Sequence, residues 1–124
     1  MTPPRTTMRV IKIDVERQEV YETDIENSLD AFYQTIGNGC QLIETATILP
    51  PHKKGGYGDV IYVDEEGFMS VGNVKGFFSI NNENWFANNG IIVGSEMTED
   101  GIKSSDCTWE LSRIKDLISF DAKL

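Results

Sequence analysis

The stretch from Gly58 to Gly94, GDVIYVDEEGFMSVGNVKGFFSINNENWFANNGIIVG, constrains this chain more than any other. Its β-branched and aromatic runs are each a few residues long, and each is broken by Gly, Asn or an acidic cluster. Runs that short cannot bury a helical stripe, but they suit antiparallel strands joined by tight turns. Val60 to Val63 reads as one strand, Phe77 to Ile80 as another and Ile91 to Val93 as a central one. Asp64-Glu65-Glu66-Gly67 reads as a type I turn closed by a left-handed Gly, returning the chain through Phe68, Met69 and Val71. Asn81, Asn82 and Asn84 read as a polar loop before the apolar pair Trp85-Phe86, and Asn88-Asn89-Gly90 reads as a turn that tolerates positive φ.

Upstream, Met8 to Val15 is rich in β-branched residues and bounded by charge, as a first strand should be, and Val20 to Ile25 returns as a second. Asn27 or Ser28 then suits a helix N-cap, with Asp30 in the favourable first turn. Leu29, Phe32, Tyr33 and Ile36 recur at helical spacing, and Gly37 and Gly39 end the pattern, so the main amphipathic helix covers about 28–36 and lies across a sheet. Cys40 to Leu49 reads as a further strand, stopped by Pro50-Pro51. Downstream, Glu96 to Gly101 forms a second acidic hairpin tip. A short C-terminal helix over about 108–115, capped by Asp106, precedes a closing strand at Leu117, Ile118 and Phe120. The expected fold is α+β: a twisted antiparallel or mixed sheet of hairpins in a single domain over 8–124, behind a disordered leader at 1–7 whose Pro-Pro pair favours solvated, extended backbone.

Eleven Lys and Arg stand against 20 Asp and Glu, leaving a formal charge of -9. Such a charge repels nucleic acid and anionic membrane and attracts basic surfaces. No stretch has the length of an apolar membrane span or a signal peptide, and the expected location is the cytoplasm. Cys40 and Cys107 lack a CxxC spacing and are expected to be buried and reduced. Near Pro51 to Tyr57, Lys53 and Lys54 precede the glycines, so no phosphate-binding loop is present. His52, the sole histidine, sits in that loop with no base or nucleophile partner in sequence. Asp64, Glu65 and Glu66 lack calcium-loop spacing. No catalytic residue, metal site or cofactor is assigned, and binding is expected ahead of enzymatic activity, which the sequence leaves open.

The segments Asp59 to Gly67 (DVIYVDEEG) and Asn88 to Gly94 (NNGIIVG), followed by Glu99-Asp100-Gly101, resemble the family known as domain of unknown function 3846. Its members are small proteins of phages, prophages and plasmids. The resemblance spans about Met8 to Phe120 and does not extend to the Asn81 to Phe86 insert or the Lys53-Lys54 loop. It implies an α+β fold and a mobile-element setting, hence a host-cell cytoplasm, and it carries over no catalytic residue.

Two binding modes follow. In the first, Asp59, Asp64, Glu65, Glu66, Glu96, Glu99 and Asp100 make an acidic face that docks on, and inhibits, a basic host protein that handles nucleic acid or mounts defence. In the second, Asn81, Asn82, Asn84, Trp85, Asn88 and Asn89 line a pocket for a small ligand such as a nucleotide signal. A metal-dependent hydrolase or nuclease using the hairpin carboxylates is opposed by the charge. Pairing of two copies through exposed strand edges is a further possibility.

Overall fold

The computed structural model describes residues 7–50, 58–67 and 74–121. The expected return strand at Phe68, Met69 and Val71, the 1–6 portion of the leader and the His52 loop lie outside them. The fold is α+β with antiparallel sheets. β1 (Thr7–Asp14) and β2 (Glu19–Glu26) form a hairpin, followed by α1 (Leu29–Ile36), β3 (Ile43–Ile48) and β4 (Val60–Asp64). Then come β5 (Phe77–Ile80), β6 (Trp85–Ala87), β7 (Gly90–Thr98), β8 (Gly101–Ser105), α2 (Leu111–Leu117) and β9 (Ile118–Asp121). The main sheet runs β2-β1-β7-β4-β3, with β8 extending the far end of β7, and a second sheet runs β6-β5-β9.

Alternation along the strands divides the core in two. Met8 and Val10 of β1 with Ile91 and Val93 of β7 face α1, where Phe32 and Ile36 cover them. Ile11 and Ile13 of β1, Ile61 and Val63 of β4 and Ile92 of β7 face the other way, onto Phe78 of the second sheet and Ile114 of α2. The main sheet is thus the middle layer, apolar on both faces, which explains why its strands read as continuous β-branched runs. α1 starts as its sequence predicts: Ser28 Oγ accepts from the Ala31 N–H at 3.1 Å. Gly37, at φ 75°, closes it by donating to the Tyr33 carbonyl.

Three expectations need correction. The strand expected from Cys40 starts only at Ile43 and is interrupted at Ala46, where its register with β4 shifts between Thr45 and Thr47. Trp85-Phe86, read only as an apolar pair following the polar loop, lies in β6 and pairs with Ser79 and Phe78. The C-terminal helix begins at Leu111, not near Thr108, because the backbone before it is held elsewhere. Asp106 does not cap it; its Oδ1 accepts from the Arg9 N–H at 2.7 Å.

Candidate functional site

Asp59 was the least conspicuous of the expected surface carboxylates, and it is fully buried. Its Oδ2 accepts from the Thr108 N–H at 2.8 Å, the Trp109 N–H at 3.0 Å and the Cys107 thiol at 3.1 Å, while Oδ1 accepts from the Thr108 hydroxyl at 2.9 Å. From the other side, Arg9 donates to the Cys107 carbonyl at 2.7 Å and the Trp109 carbonyl at 3.1 Å. The segment 106–109 is therefore clamped between an acid and a base, and Asp59 is removed from any docking surface. A carboxylate with four donors is satisfied inside a protein, where an unpaired one would cost far more than the bonds return.

Neither cysteine is prepared for nucleophilic chemistry. Burial, then the Asp59 hydrogen bond, pushes the Cys107 thiol up to about 12. Burial, then the charge of Asp64, pushes Cys40 up to about 11. Thiols so perturbed stay protonated near neutrality and are poor nucleophiles. Both are free. Among the described residues, no group of three or more His, Cys, Asp or Glu is arranged to hold a metal ion. No described helix is long and apolar enough to cross a membrane.

The acidic hairpin tips are not together. Val63 pairs with Gly90 and Val60 with Val93, so Asp64, Glu65 and Glu66 leave the sheet beside the start of β7. Glu96, Glu99 and Asp100 lie at its other end, about 26 Å away at ~3.3 Å per residue from Gly90 to Thr98. Asp64 is itself buried, its Oδ1 accepting from the Glu66 N–H at 2.9 Å, which leaves Glu65 and Glu66 as the exposed acids of that tip.

A different acidic surface replaces the expected one. Along β2, Glu22, Asp24 and Glu26 are exposed at alternate positions and share one face of the strand. Arg9 lies between them on β1, its Nε 2.8 Å from Glu22 Oε2, and this bond holds the Glu22 carboxyl below its ordinary range. Asn27 Nδ2 donates to the Ser104 carbonyl at 2.9 Å, fastening the end of β2 to the β7–β8 arm. Glu96, Glu99, Asp100 and Asp106 thus stand at the same end of the molecule as the β2 row. On the arm, Met97 pairs with Ile102, and each is 58% exposed. The ETDIE alternation was visible in the sequence, but only the register of β2 on β1 shows that its acids share a face with Arg9.

The asparagines divide by role. Asn81 and Asn82, at φ 54° and 58°, form the tight turn of the β5–β6 hairpin, closed by the Glu83 N–H on the Ile80 carbonyl at 3.1 Å. Asn82 Oδ1 also accepts from the Ser119 hydroxyl. Asn88 is buried and accepts from the Lys75 N–H at 2.8 Å. Asn89 accepts from the Val15 N–H and donates to the Ile36 carbonyl, tying the first hairpin to the end of α1. Asn88 and Asn89 are thus internal fasteners, not pocket walls. Only Asn81 and Asn84 of the expected set border a groove, of about 300 Å³, between β3 and the β5–β6 turn. Its apolar walls include Phe86, Trp109 and Leu117; Trp85 is not among them.

Comparison with known proteins adds no relative: no family model, curated protein or solved structure matches the chain.

Proposed function

We propose that this protein acts by binding, and that its partner is a basic protein surface engaged by the end of the molecule where β2 meets the β7–β8 arm. The observation that carries the reading is the exposed Met97–Ile102 pair of the arm, one register step from the Glu99-Asp100 turn. Apolar area supplies affinity once water is excluded, and surrounding carboxylates supply steering and selection of a cationic partner. The overall charge of -9 acts in the same direction and repels phosphate backbones. Protein surfaces of that character are commonly those that grip nucleic acid, so occupying one inhibits it. The resemblance to domain of unknown function 3846 suggests that the partner is a host protein that handles nucleic acid or mounts defence. The thiols, both held protonated, support binding over nucleophilic catalysis.

The test is capture from host lysate on immobilised protein, eluted with a salt gradient. Basic proteins released as ionic strength rises, and lost with the Met97→Ser/Ile102→Ser or Glu99→Lys/Asp100→Lys variants, are the expected result. Retention that ignores salt, or an unchanged set of captured proteins with both variants, overturns the reading.

A further inference from the structure

The two outer strands of the main sheet differ sharply. β2 carries Glu19, Glu22, Asp24 and Glu26 at its exposed positions, the kind of charge that discourages another strand from adding. β3, at the opposite edge, reads IETATI, with neither Lys nor Pro, and pairs only with β4 among the described strands. The Leu49 N–H donates toward β4, to the Asp59 carbonyl at 2.7 Å. Because strand amides alternate in direction, the neighbouring Ile48 N–H faces away from β4, the side on which no described strand pairs. Ile48 is also the most exposed large apolar residue among those described, at 64%.

Beside this edge the two sheets fail to close. The groove of about 300 Å³ is walled by Thr47 and Leu49 of the β3 side, by Phe86 of β6 and by Trp109 and Leu117, with Glu83 at its border. We propose that β3 and this groove form a second binding site, which takes an extended peptide segment whose groove-facing side chains, at every second position, are apolar residues followed by a Lys or Arg. The incoming backbone bonds to the side of β3 that no described strand occupies. On that one face of the peptide, apolar side chains enter the groove and the cation meets Glu83 and the exposed Glu44, whose cross-strand partner Val63 also faces the second sheet. A second copy of this chain is the poorer occupant, because two molecules of charge -9 repel each other. This site lies across the sheet from the acidic end and does not depend on it.

A displayed library of random ten-residue peptides, selected on the immobilised protein, tests the assignment. Enriched sequences should carry apolar residues and a Lys or Arg together at every second position, on one face, and their binding should perturb the amide resonances of Ile43, Thr45 and Ile48. Ile48→Pro removes the N–H that points away from β4, at an edge position where proline is tolerated, and should abolish binding. Glu83→Lys lies on an exposed turn that needs only its backbone, and should weaken binding by about fivefold at low salt. The proposal is overturned if no peptide is enriched, or if selected peptides bind both variants as they bind the parent. It is equally overturned if the protein dimerises in solution and Ile48→Pro makes it monomeric, since β3 is then its own partner. Loss of lysate capture by the arm variants has no bearing on these outcomes.

Discussion

At the scale of single residues, Asp59 does the work of several hydrogen bonds from one buried position. Asp59→Ala removes the acceptor of the part-buried Thr108 and Trp109 amides and of the buried Cys107 thiol, and donors left unsatisfied away from water cost about 1–3 kcal/mol each. The variant should therefore lose about 3 kcal/mol or more in urea unfolding, while Asp59→Asn, which keeps shape and one acceptor oxygen, loses less. Cys107 gives a pH signature. Its folded value of about 12 lies above the ordinary 9.0, so the fold holds this proton more tightly than the unfolded chain does. The resulting stability is fully present below pH 9 and disappears as pH rises toward 12. Thermal unfolding between those limits should show a downward slope that is shallower in Cys107→Ser. Neither role was legible in the sequence. Asp59 and Thr108 are 49 positions apart, and an acid beside a turn glycine looks like any surface acid until both chain segments are placed. One local hint existed: Asp59 stands alone before an unbroken VIYV run, whereas the exposed tip acids come in clusters.

At the scale of elements, features with local causes were readable in advance. The α1 stripe and its Ser28 cap follow from spacing and side-chain chemistry, and Ser28→Ala should cost about 1 kcal/mol in chemical denaturation. The Asn81-Asn82 turn follows from the tolerance of Asn for positive φ. Features with distant causes were not readable. α2 begins late because Asp59 and Arg9 hold 106–109 extended, and the register shift of β3 between Thr45 and Thr47 depends on its pairing with β4, which the sequence does not state. Gly90 shows how one element depends on another: a Cβ there would come within 2.9 Å of Phe78 Cζ from the second sheet. Gly90→Ala should therefore cost about 1–3 kcal/mol by overpacking, and Phe78→Leu in the same chain should recover part of that loss. Melting curves of the single and double variants decide the point.

At the scale of the whole molecule, architecture and the candidate binding surface separate cleanly. Met97 and Ile102 belong to neither core cluster. Replacing both by Ser should leave unfolding free energy within about 0.5 kcal/mol of the parent while removing partner capture, a dissociation of stability from binding that a structural arm would not show. The α+β class and the central place of Ile91 to Val93 were apparent from the sequence, since an apolar run that long must be covered on both sides. The acidic surface was misplaced because carboxylates were grouped by turn, whereas strand direction sends the two tips to opposite ends. The sheet order has a consequence for synthesis. β1 is complete early, yet its inner neighbour is β7, and Ile11 must wait for Ile92. A ribosome therefore has to translate most of this chain before its middle layer can assemble, and a stalled nascent chain stopped short of Gly90 would expose β1 and β4 with nothing between them.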